Sequence, residues 1–270
     1  NLQIFNFSNN LIKIVPKIPS VINKIFGSSN RIVEVAQINT PNLTDCSLND
    51  NVLTAMPAVI NNKIIFYSMN HNQIANIRLD CISPNVVLIE LVDNEIMSIP
   101  PEIFNFPCLE HLALTHNKIS QIPQQIASSK KLKRLVLSFN KIKIIPSLPP
   151  TLNELHIAGN QIEELTSTIT SSNVTFLDVG MNNLTSIPLL PRVKNLYASQ
   201  NMITQFPLLS RDIYAVDLSY NRLTEVPVLM YDHLFDFDVS HNDISKVPDF
   251  SNCPEISIVK LAENKRMVGD

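Results

Sequence analysis

The sequence predicts an α/β repeat solenoid: a curved arc with a parallel β-sheet on its concave face, mostly extended or 3-10 returns on its convex face, and little helix. Three observations predict it. Asparagine recurs at a near-constant interval, alternating apolar residues precede each of these asparagines, and proline follows most of them. Self-similarity at a period near 20 residues is the mark of stacked repeats, each burying its apolar face only against its neighbours.

The frame is L-x-x-L-x-L-x-x-N-x-L-x-x-[IV]-P, with asparagine at position nine. Its occupants are Asn10, Asn30, Asn51, Asn72, Asn94, Asn117, Asn140, Asn160, Asn182, Asn201, Asn221, Asn242 and Asn264. Apolar residues at positions four and six, such as Leu112 and Leu114, alternate with outward residues and so predict a short strand. Position nine needs a small side chain with both a donor and an acceptor, because the backbone turns there into a buried bend. Stacked units therefore build an asparagine ladder that satisfies amide groups otherwise left orphaned. Position eleven, Ile or Leu as in Ile119, Ile142, Ile162 and Leu184, returns the chain to the core. Proline at position fifteen (Pro57, Pro100, Pro123, Pro146, Pro188, Pro207, Pro227 and Pro248) fixes φ and removes a donor, which forbids a second strand on the outer side.

The returns differ in length. PPEIFNFPCLEH and PQQIASSKKLKR leave room for a 3-10 or short helical turn, so helix is expected mostly within residues 100–131. PSLPPTLNELHIAGN and PLLPRVKNLYASQN, dense in proline, are expected to be extended. The domain expectation is one solenoid over residues 1–270 of about thirteen repeats, long near 86–150 and shorter over 151–270. Its arc is expected to flatten after Pro146. Leu2 already holds position one of a repeat and KRMVGD carries no capping pattern, so both ends read as uncapped and a larger polypeptide is expected.

On this frame the chain resembles the leucine-rich-repeat proteins over essentially its whole length. The long unit IPQQIASSKKLKRLVLSFN resembles the intracellular repeats of Ras-pathway and cell-polarity scaffolds. The short units resemble the compact repeats of some bacterial effectors. The resemblance implies a protein-interaction module or scaffold. The alternative it implies is the recognition arm of a larger signalling enzyme, since similar repeats are joined in some families to PP2C-type phosphatase, adenylyl cyclase or kinase domains.

The chain's own chemistry points the same way. No metalloprotease H-E-x-x-H, nucleophile elbow, P-loop or paired-cysteine motif occurs, so neither enzyme activity, cofactor nor metal site is expected. Cys46, at an inward position four, reads as core packing. A net charge of −3 argues against nucleic acid, and no apolar run is long enough to span a bilayer. The sequons at Asn6, Asn42, Asn173 and Asn183 read as coincidences of an asparagine-rich chain. The expected compartment is the cytoplasm, with the cell surface or exterior as the alternative were a signal peptide to precede the chain.

Positions two, three, five, seven and eight should face the concave side. Over thirteen units they carry eleven acidic and five basic residues, a net −6 against −3 for the whole chain. At position five Asp178, Tyr197, Asp217 and Asp238 follow one another, with Phe176, Tyr214, Tyr220, Phe235, Asp236 and His241 beside them. Aromatic residues among like charges on a rigid sheet suit a protein or peptide partner that carries basic groups. Lys133 and Arg134 interrupt the acidity, which suggests a second, distinct surface.

Overall fold

The computed structural model describes residues 2–15, 17–59, 61 and 63–267. Of the C-terminal stretch read as uncapped, residues 268–270 lie outside the described residues. The chain divides into two compact units, Asn1–Lys141 and Ile142–Asp270.

In the first unit seven strands run in chain order: β1 (Ile4–Asn6), β2 (Lys24–Phe26), β3 (Asp45–Ser47), β4 (Phe66–Ser68), β5 (Leu88–Glu90), β6 (His111–Ala113) and β7 (Arg134–Val136). Each pairs in parallel with the next, as in Leu112↔Leu135 between β6 and β7. The second unit repeats the pattern with β8 (Glu154–His156), β9 (Phe176–Asp178), β10 (Asn195–Tyr197), β11 (Ala215–Asp217), β12 (Asp236–Asp238) and β13 (Ile258–Lys260). Every strand is three residues long and occupies positions three to five of the frame, with position four inward. This is the leucine-rich-repeat solenoid, a parallel-sheet stack with almost no helix.

The asparagines form a ladder within each unit. Asn117 shows the rule: Nδ2 donates to the Leu91, Leu114 and Thr115 carbonyls at 2.9, 3.1 and 3.2 Å, and Oδ1 accepts the Ile96 N–H at 2.9 Å. Asn221 makes the same four contacts with Ala198, Leu218, Ser219 and Ile203. Each rung thus closes its own turn and, within a unit, ties it to the repeat before it. From Asn51 to Asn264 the ladder is buried, whereas Asn30 is half-buried and Asn10 exposed.

Core packing adjusts locally to the frame. Cys46 and Tyr67 hold position four on neighbouring strands, and the small residue makes room for the large one; both are fully buried. The Tyr67 hydroxyl donates to the Pro57 carbonyl at 3.3 Å, and burial pushes the Cys46 thiol up to about 12. At Gly27, an inward position six, a Cβ would lie 2.3 Å from the Phe7 ring, which fills the place a leucine takes elsewhere.

Helical turns occur at Pro101–Asn105 and Gln124–Ser128, as expected, but also at Leu79–Cys81 and Ser167–Thr170. The two extra turns fall in returns whose position fifteen is Arg78 and Thr166 instead of proline.

Candidate functional site

The position-five residues of the second unit lie side by side through strand register: His156↔Asp178, Asp178↔Tyr197, Tyr197↔Asp217, Asp217↔Asp238 and Asp238↔Lys260. At position three Phe176, Asn195, Ala215 and Asp236 form the adjacent row. The predicted residues Phe176, Asp178, Tyr197, Asp217, Asp236 and Asp238 therefore share one sheet face. Tyr214 and Phe235 precede β11 and β12 at position two, and Tyr220 and His241 follow them at position eight.

These flanking residues pair across the strands. The Tyr214 and Phe235 rings stack at 5.3 Å with an interplanar angle of 2°. Tyr220 and His241 stack at 3.9 Å and 10°. Tyr214 and Tyr220 are 45% and 51% exposed, so their stacked pairs stand as walls on either side of an acidic floor. In the middle of the face a tilted aromatic run joins His156 to Phe176 at 4.6 Å and Phe176 to Tyr197 at 5.2 Å.

The carboxylates carry a structural duty that sequence reasoning missed. Asp217 Oδ1 accepts the Ser219 N–H at 2.9 Å and its hydroxyl at 2.6 Å. Asp238 Oδ1 takes the same pair from Ser240, at 2.9 and 2.6 Å, and Asp178 Oδ1 accepts the Gly180 N–H at 3.2 Å. Each is an Asx turn two residues long, legible in hindsight from the recurring Asp-x-Ser/Gly that ends in the position-seven residue. Reversing Asp178, Asp217 and Asp238 together to lysine would tear out three of these turns. Such a variant would lose structure along with charge, and asparagine is the replacement that separates the two.

The outer oxygens differ. Asp238 Oδ2 holds the Lys260 ammonium at 3.2 Å, and that contact raises the Lys260 pKa, helped by the charges of Asp236 and Asp217. Burial raises the Asp178 carboxyl above the usual range, and the neighbouring Asp217 adds to it; the Gly180 N–H and His156 oppose the shift. The Tyr197 phenol is raised by burial and then by the carboxylates of Asp236, Asp217 and Asp178, with Lys260 opposing. Asp236 Oδ1 is buried with no hydrogen-bond partner among the described residues.

Position eight bears a second missed feature. All thirteen of its residues have positive φ, from 52° at Met181 to 64° at Gly159, and only Gly159 is glycine. Within each unit, wherever another repeat follows, their N–H groups donate to its position-seven carbonyl, as Met181 does to Ser199 and Tyr220 to Ser240, and this holds the left-handed turn in place. The side chains at this position accordingly project as a row on the sheet face.

Among the described residues no group of three or more His, Cys, Asp or Glu side chains is disposed to hold a metal ion, and no helix is long and apolar enough to cross a membrane. The first-unit pair Lys133 and Arg134 is exposed, and Lys133 is held by Glu110 at 2.8 Å.

Comparison with known proteins places this geometry. The family model described as leucine rich repeat matches residues 84–142. Fibromodulin of Sus scrofa is 30% identical over 122 residues, covering 43% of this chain and 71% of that protein. A leucine-rich-repeat protein of Leptospira interrogans aligns with a TM-score of 0.78 at 23% identity, over 85% of this chain and 63% of that one. This chain therefore spans less than two thirds of the Leptospira protein. The leucine-rich effector YopM of Yersinia pestis aligns with a TM-score of 0.76 at 20% identity, over 95% and 76% of the two chains. The two structural matches share the fold; the fibromodulin alignment carries kinship as well. With the asparagine ladder, the parallel strands and that relative in agreement, the chain belongs to the leucine-rich repeat family.

Proposed function

We propose that the chain is a non-catalytic interaction module that binds a basic protein or peptide across the sheet face of its second unit. Leucine-rich-repeat proteins are generally protein-interaction modules. The observation that carries the finer reading is the acidic floor of Asp217, Asp236 and Asp238 between two exposed aromatic stacks. Stacked rings of this kind lose little conformational freedom on binding, and desolvated aromatic anchors dominate interface energies. A cytoplasmic setting belongs to the same proposal, and the four unbridged cysteines support it.

The test is affinity capture with the wild-type chain, the double variant Asp178→Asn/Asp217→Asn, and Tyr214→Ala/Tyr220→Ala. The asparagines keep the Asx turns while removing charge. Both variants should lose a partner that wild type retains, and moderate salt should weaken its retention. Recovery of the same partners in the same yield from both variants would sink the proposal.

A further inference from the structure

Asp217 and Asp238 are near-copies. Each holds a position-seven serine through Oδ1, by the same N–H and hydroxyl at matching distances. In Asp238 the other oxygen is taken by the Lys260 ammonium at 3.2 Å, reaching over from the neighbouring strand. Asp217 Oδ2 carries no hydrogen bond or ion pair among the described residues, and neither does Asp178 Oδ2. Between those two residues stands Tyr197, in register with both and with the Phe176 ring 5.2 Å from its own. One seat of the row is thus filled by a cation of the chain itself, and the equivalent seat is open.

From this charge complementarity we infer that the open seat takes an arginine side chain of the partner, its guanidinium lying on Tyr197 and donating to Asp178 and Asp217. This rests on the reading of the second unit's face as a basic-partner surface and specifies which basic group it selects. Parallel strands lie about 4.8 Å apart, so Asp178 and Asp217 flank Tyr197 across roughly 10 Å. A guanidinium is flat, stacks on an aromatic face, and points five donors outward in its own plane, edge-on to carboxylates at either side. A lysine ammonium is a compact, strongly hydrated point charge that serves one carboxylate at a time, as Lys260 serves Asp238.

The probes are fluorescein-labelled hexa-arginine and hexa-lysine peptides of equal formal charge, titrated by fluorescence anisotropy at one ionic strength. Wild type should bind hexa-arginine more tightly by about threefold to thirtyfold, the range a partly desolvated cation–π contact supplies. Tyr197→Leu should bring the two peptides to equal affinity, and Asp178→Asn/Asp217→Asn should weaken hexa-arginine more than hexa-lysine. Circular dichroism of each variant secures that the repeat stack is intact. Equal binding of both peptides by wild type overturns the arginine seat while leaving a general basic surface standing. Arginine preference that survives Tyr197→Leu also overturns it, by placing the selective contact elsewhere. If neither peptide binds wild type, the basic-partner reading falls and the seat falls with it.

Discussion

The two units meet the same backbone problem with opposite chemistry. Position seven of each repeat presents an N–H at the start of the left-handed turn. In the second to fifth repeats of the first unit that N–H reaches back to the position-seven side chain of the preceding repeat: Ser28 N–H to Ser8 Oγ at 3.1 Å, Asn49 to Ser28 at 3.2 Å, Asn70 to Asn49 Oδ1 at 2.8 Å, and Val92 to Asn70 Oδ1 at 2.8 Å. Those links form a second polar ladder, parallel to the asparagine one and ending at Val92, whose side chain has nothing to offer the next rung. In the second unit, Gly180, Ser219 and Ser240 instead donate to the aspartate two residues earlier in their own repeat. One solution couples repeats with neutral groups. The other is local, and it collects carboxylates on the sheet face. An acidic surface can therefore arise from how a turn is closed.

The comparison breaks first at what the units share. Asn117→Leu in the first orphans the Ile96 N–H and the Leu91 carbonyl, and Asn221→Leu in the second orphans the Ile203 N–H, while the other carbonyls of each rung keep a donor from the adjoining rungs or the backbone. At about 1–3 kcal/mol per orphaned group, each should cost at least about 1–3 kcal/mol. Chemical denaturation of the two variants should show losses of similar size. A loss below about 1 kcal/mol in either, on the same scale, would mean the rungs are not the common support of both units.

The next effect separates the units. Asn49→Ala removes the acceptor of the Asn70 N–H and the Ser68 hydroxyl, both 2.8 Å away and both in the next repeat. Asp217→Ala removes the acceptor of its own repeat's Ser219. Each should cost about 1–3 kcal/mol. Amide hydrogen exchange tells them apart: the first should expose Asn70 and the second Ser219. Asp217→Asn, which preserves the turn, should keep most of the stability. An Asn49→Ala effect confined to its own repeat would dissolve the contrast.

How much of this could be read from the sequence follows from what each residue type signals. Thirteen asparagines in register announce the solenoid because no other residue as small carries two N–H donors and a carbonyl acceptor together. The face of Asp178, Tyr197, Asp217 and Asp238 was legible because period-two alternation fixes which side chains point outward. The Asx turns were not, because an aspartate on an exposed face looks like surface charge until its serine is seen at 2.6 Å. The left-handed turn at position eight was hidden by its occupants, among them Phe139, Met181 and Tyr220, where glycine would have given it away. Neither was Lys260's grip on Asp238 visible, since it depends on the register of β12 with β13.

That hidden turn supplies a smaller test, and one blind to which unit it is made in. Met181, at φ 52°, is exposed and carries the cost of a side chain in left-handed backbone, while Gly159 at φ 64° does not. Met181→Gly should therefore raise stability by about 0.5–1 kcal/mol, and Gly159→Val should lower it by about 1–2 kcal/mol. Thermal melts of both decide the matter. A Met181→Gly variant less stable than wild type would show that packing by the methionine outweighs the backbone cost.

The smallest effect is a matter of pH and belongs to the second unit alone. Asp178 has its carboxyl raised, chiefly by burial, so the folded state holds the proton more tightly than the unfolded chain does. Its stabilising contribution is therefore fully present below the ordinary aspartate range and is lost as pH rises through the folded value. Asp178→Asn removes that dependence and keeps an oxygen to accept the Gly180 N–H. In doing so it converts the repeat to the kind of turn the first unit already has at Asn6, whose Oδ1 accepts the Ser8 N–H at 3.0 Å. Denaturation of wild type and Asp178→Asn over a series of acidic to neutral buffers should show the variant gaining on wild type as pH rises and holding level once the folded Asp178 is ionised. A gap that widens the other way, with wild type gaining as pH rises, would mean that ionised Asp178 is stabilised by its neighbours. The carboxylate would then be a net support of the fold, and the second unit's acidity would need no partner to relieve it.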